Sequence, residues 1–184
     1  NDVNQSLFFR NLHVYFARVS WPKSPDEGKK IKGSFTEVLI QLAADLYLTA
    51  QKIAIKQGHT VIEESDVNVA VQQFMPHRVN EYEDAIFFPR LPRESQVTIE
   101  SYDMDAFRDS GIHWRYLQYA ITDKNFSAQL EPSPFSAELL AESIAQFGVL
   151  LWRVSGQFTI AQNKERLEYK HLVAGLKRVQ SLIH

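Results

Sequence analysis

Lys29, Lys30 and Lys32, with Lys23 just upstream, make the densest basic cluster in this sequence. Amines in a loop beside a helix N-terminus could contact a phosphate backbone. A charge run in a loop is more often simply solvated. His13 and His113 form a second candidate set, because a twofold arrangement would bring them together. The acidic segments 81–84 and 103–109 lie nearby in sequence. No helix carries His-x-x-x-His or Glu-x-x-His spacing, so no metal site is expected. There is no Gly-rich phosphate loop, serine nucleophile elbow or dinucleotide fingerprint. No catalytic residue, cofactor or small-molecule substrate is therefore identified. Phe87, Phe88, Pro89, Leu91 and Pro92 concentrate apolar and extended character in one stretch. Such residues can anchor a protein partner or pack onto the chain's own helices.

The bulk properties narrow the setting. A chain of 184 residues is one domain or two small ones. It needs no disulfide or metal to fold, since about 70% of the unfolded surface of such a chain is buried. The absence of cysteine removes disulfides, thiolate ligands and cysteine nucleophiles, and leaves the compartment open. Twenty basic residues face 22 acidic ones, for a net charge of −2. The long-range field of a strongly basic nucleic-acid binder is absent. No apolar run approaches the length of about 20 residues needed to span a bilayer. A first residue of Asn1 rather than Met leads to the expectation that a signal peptide, a tag or a longer segment was removed.

The elements that must position these residues read as helices. Leu7, Phe8, Leu12, Tyr15, Phe16 and Val19 form one helical stripe over 4–19. Pro22, Pro25, Gly28 and Gly33 punctuate 21–33, which reads as a loop. Ser34 and Glu37 have capping-box spacing and open a long helix to about Gln57. Its stripe holds Phe35, Leu39, Leu42, Leu46, Ala50 and Ile53, and Gly58 stops it. Thr60-Val61-Ile62 reads as extended, and Glu63 to Asp66 suit the start of a short helix. Residues 76–100 read as a connector with one short helix near 79–88. A helix to about Thr122 follows, then a loop over 123–134. Ser133-Pro134 reads as a cap before a long helix over 135–160. A break at 163–168 precedes a final helix.

The order of elements repeats. Phe9-Arg10 with His13 recurs as Phe107-Arg108 with His113, and Phe35 recurs as Phe135. Most of these matches are about 100 positions apart (13 and 113, 35 and 135). A duplicated unit can bury its apolar face on its copy. Each unit reads short helix, loop, long helix, extended link, short helix. Ala43-Ala44-Asp45-Leu46-Tyr47 through Lys56, then Thr60-Val61, Asp66-Val67 and Ala70-Val71, resemble the long helix, second loop and third helix of the histone fold. The resemblance implies that Asp66 pairs with a basic residue in the preceding loop, His59 or Lys56. The departures are one extra residue between Thr60-Val61 and Asp66, a long first loop in both units, and Lys164-Glu165-Arg166-Leu167-Glu168 where the second unit should repeat the loop signature.

The expectation is an all-α protein of two histone-fold-like units, 1–75 and 101–184, joined by a connector at 76–100 and packed as an intramolecular pseudo-dimer. The expected function is that of a non-catalytic structural or protein-interaction subunit with a protein partner. The alternatives are a sequence-independent, weakly DNA-associating histone-like doublet and an unrecognised helical enzyme.

Overall fold

The computed structural model describes residues 21–74 and 128–183. They form four α-helices: α1 (Pro25–Lys56), α2 (Glu64–Phe74), α3 (Pro134–Ala161) and α4 (Tyr169–Ile183). The fold is all-α among the described residues. The helices expected over 4–19, 79–88 and 101–122 lie outside the described residues. So do the unit boundaries and the residues His13, His113, Phe87, Phe88, Pro89, Leu91 and Pro92.

α1 begins at Pro25, not at Ser34. The Ser24 hydroxyl accepts the Glu27 N–H (3.4 Å), Pro25 fills a position that needs no donor, and Asp26 and Glu27 face the helix dipole. Gly28 is buried beneath Trp21; a Cβ there would lie 2.7 Å from the indole nitrogen. That glycine permits packing rather than breaking the helix. Ser34 and Glu37 are interior positions, so their capping-box spacing caps nothing. Lys29, Lys30 and Lys32 consequently sit on a helix and not in a loop. Of the stretch 21–33 expected to be a loop, residues 25–33 are helical. α3 starts where expected, with the Ser133 hydroxyl accepting the Ser136 N–H (3.3 Å).

The two long helices end in the same way. Past α1, Gly58 has φ of +76° and the His59 N–H donates to the Ala54 carbonyl (2.9 Å). Past α3, Asn163 has φ of 58° and the Lys164 N–H donates to the Thr159 carbonyl (3.1 Å). Both are Schellman-type closures, the second using the residue that best replaces glycine. The equivalent pairs (58 and 163, 54 and 159) are 105 apart, not 100. The same register runs through the core: Leu39 with Ile144, Leu46 with Leu151, Tyr47 with Trp152, and Ile62 with Leu167 are all buried. Phe135, matched to Phe35 in the sequence, is 74% exposed while Phe35 is 1% exposed. The lengths explain it. α1 has 32 residues and α3 has 28, so α1 carries about one additional turn at its start.

All four helices share one core. The Phe35 and Trp152 rings meet edge-on with centroids 5.0 Å apart, and Trp21 lies 5.9 Å beyond. Burial of each large side chain contributes about 1.5–3 kcal/mol. α3 and α4 are in close contact at Gly175, where a Cβ would sit 2.4 Å from the Ser155 hydroxyl. By length and composition alone α1 could cross a membrane, but half of its apolar window is buried inside the protein, as in a core helix.

Candidate functional site

The two halves meet at two loop junctions built on one plan. At the first, the link after α1 lies against the segment before α3. Ile62 pairs in parallel with Pro132. Its N–H donates to the Glu131 carbonyl and its carbonyl accepts the Ser133 N–H, both at 2.9 Å. α1 holds the same segment with two side chains. Gln51 Oε1 accepts from the N–H groups of Gln129 (2.7 Å) and Leu130 (3.1 Å). The Tyr47 hydroxyl donates to the Leu130 carbonyl. Burial, aided by Glu131, pushes the Tyr47 pKa up to about 12.

At the second junction the roles of the halves are exchanged. Arg166, in the link after α3, donates from Nη1 to the Trp21 carbonyl (2.7 Å), in the segment before α1. Glu27 Oε1 accepts the Tyr169 N–H (2.7 Å). Trp152 packs on Trp21 as Tyr47 reaches Leu130: each aromatic meets the residue three before the opposite helix's cap. A cleft of about 560 Å³ opens here between Lys23, Glu27, Lys164, Glu165 and Arg166.

Behind each junction a polar side chain receives a loop amide. Asp66 Oδ2, 1% exposed as a residue, accepts the Glu63 N–H (2.9 Å) and lies 2.8 Å from His59 Nδ1. His59 Nε2 is 3.5 Å from Glu63. The hydrogen bond to Asp66 raises the His59 pKa against partial desolvation, with the negative charges of Asp66 and Glu63 helping. In the second half His171 occupies the place of Asp66, and its Nδ1 accepts the Glu168 N–H (2.9 Å).

His59 and Asp66 are thus in contact, whereas Lys56, the other basic candidate, is exposed at the end of α1. Lys23 is brought beside Lys164 and Arg166 at the cleft. Lys30 instead lies over the Tyr169 ring, 4.2 Å from its centroid. Gln51, Tyr47, Lys164, Arg166 and His171 are not among the site residues expected from the sequence. The five residues from Lys164 to Glu168 looked like a lost loop signature, yet they form the junction. The apolar residues Val38, Leu42, Phe74, Phe147 and Leu176, contributed by all four helices, also line a groove of about 480 Å³.

Among the described residues, no group of three or more His, Asp or Glu side chains is placed to hold a metal ion. No protein-family model matches the chain. No curated protein matches it either.

Proposed function

We propose that this chain is a non-catalytic structural and protein-interaction subunit, built as a tandem histone-fold-like pseudo-dimer. One observation carries the reading: reciprocal junctions. The link after each long helix meets the segment before the other, through Ile62 with Pro132 and Arg166 with Trp21. A head-to-tail pair of histone-fold units calls for this exchange, and two unrelated helical hairpins would have no reason to show it. The shared register of 105 and the matching helix closures support it further. The non-catalytic part of the proposal rests on the lack of any catalytic or cofactor motif in the sequence. α1 belongs to the core in this reading and spans no membrane.

The test is recovery of the chain at native abundance after nuclease treatment, with cross-linking and stoichiometry measured. A protein retained at a fixed molar ratio, through high salt and nuclease, is the expected result. A chain that runs as a free monomer, or whose companions vanish with nuclease, would count against the subunit role.

The second reading is contact with nucleic acid, favoured by the grouping of Lys23, Lys164 and Arg166 at one cleft. Glu63, Glu64 and Glu131 are exposed around the other junction, so such contact would be one-ended. A salt-dependent mobility shift with Lys23→Ala plus Lys164→Ala separates this reading from the first.

A further inference from the structure

The two junctions satisfy the same backbone amide with different chemistry. Asp66 accepts the Glu63 N–H through a carboxylate, and His171 accepts the Glu168 N–H through Nδ1. An amide N–H is a donor, so Nδ1 must carry no proton. The neutral ring then bears its proton on Nε2, which donates to Gln162 Oε1 at 3.0 Å. Two partners therefore fix one tautomer in a side chain that is 0% exposed. A second proton could enter only at Nδ1, pointing at the Glu168 N–H.

We infer that His171 is an acid-sensitive latch, whose second protonation releases the loop at 163–168 and loosens the second junction while the first stays closed. The loop's own fastenings make this local. Without the His171 acceptor, the loop keeps Arg166 on the Trp21 carbonyl, the Lys164 closure on Thr159 and the buried Leu167, while Glu27 keeps the Tyr169 N–H, so the loss is centred on the Glu168 end. The groups around the ring are mixed. The Glu168 carboxylate is 3.8 Å from Nε2 and favours the charged form; Lys170 and Lys164 oppose it. From α1, Glu27 is engaged with the Tyr169 amide, and the end of α3 presents the neutral Gln162. Burial is the largest influence and holds the pKa below its ordinary value. The first junction responds in the opposite sense. His59 faces Asp66 and Glu63, so protonation there strengthens the contact. Over one pH interval one junction tightens and the other loosens. The inference rests on the four-helix geometry and stands or falls separately from the subunit reading.

The test is amide exchange of the full chain, corrected for intrinsic rates, between about pH 7.5 and 5. Protection of 163–168 is expected to fall by roughly tenfold or more on acidification. Protection of 59–63 is expected to hold or rise. His171→Asp and His171→Asn, which supply acceptors that do not charge in this way, should abolish the fall. Nitrogen NMR of His171 in the unaltered chain needs no variant and should show a single Nε2–H tautomer at the upper pH. Flat protection of 163–168 in the unaltered chain, an equal fall in both variants, or a doubly protonated ring at the upper pH would each overturn the latch.

Discussion

At the scale of single residues, stability depends on side chains that satisfy distant backbone. Gln51→Ala would strip the acceptor from the Gln129 and Leu130 amides. Gln129 is exposed and Leu130 half-buried, so water can reach the freed amides and the loss is that of an ordinary hydrogen bond, about 0.5–1.5 kcal/mol. Chemical denaturation should show a drop of that order, and an unchanged midpoint would mean that water replaces the amide oxygen. Leu46, 1% exposed, sits mid-way along α1 in the core. Leu46→Asp should cost more than the about 2–5 kcal/mol of a core truncation, because a charge is buried too. Loss of the folded state by circular dichroism is expected; a soluble, normally melting variant would contradict the core assignment. His59 has a raised pKa, so its contribution is fully present below the unfolded value of about 6.5 and is lost as pH rises through the folded value. Melting curves of His59→Ala and the unaltered chain should therefore converge as pH rises above neutrality. Much of this scale was legible. Helical spacing placed Leu46 and Phe35 inside, and the fold resemblance named His59 and Asp66. Gln51 and Tyr47 were not legible, because their partners lie 78 to 83 residues away and carry no motif.

At the scale of elements, the second half was read better at its start and worse at its loop. Ser133-Pro134 stands alone before an apolar run, so its cap is unambiguous. Ser24-Pro25 is followed by two glycines and a basic cluster, which mimic a loop; a tryptophan packed over Gly28 reverses their meaning. The likeness of 163–168 to 58–63 is hidden in the sequence because asparagine stands at one helix closure where glycine stands at the other, and His171 stands where Asp66 does, while the backbone bonds are alike. Helix contact makes a sharper forecast at Gly175. Gly175→Ala would push a methyl to 2.4 Å from the Ser155 hydroxyl, and overpacking of this kind costs about 1–3 kcal/mol. The double change with Ser155→Ala should recover part of the loss in melting temperature. Failure to recover any would place the strain on backbone rather than on the hydroxyl.

For the whole molecule, charge limits what the surface can bind. With 22 acidic residues against 20 basic ones, DNA affinity should stay in the non-specific range of about 10⁻⁴–10⁻⁶ M at physiological salt. Titration by fluorescence anisotropy at two salt concentrations measures it. Nanomolar binding at physiological salt would move the balance to the histone-like doublet. Cross-half geometry can be read directly, since the chain has no cysteine to remove. Spin labels at Lys23 with Glu165, and at Glu63 with Glu131, should both report short distances. One short and one long distance would end the reciprocal arrangement.

The reciprocal junctions have a consequence for how the chain is made. The side-chain bonds that join the halves span 78 to 145 residues. A nascent chain must release most of its length before α1 meets its counterpart, and loop closure of that size slows folding. Until then a neighbouring molecule's second half offers the same surfaces. Tethering favours the partner half of the same chain, so the outcome of this competition depends on protein concentration. Refolding from denaturant at high protein concentration should therefore trap domain-swapped dimers, which dilute refolding would not produce.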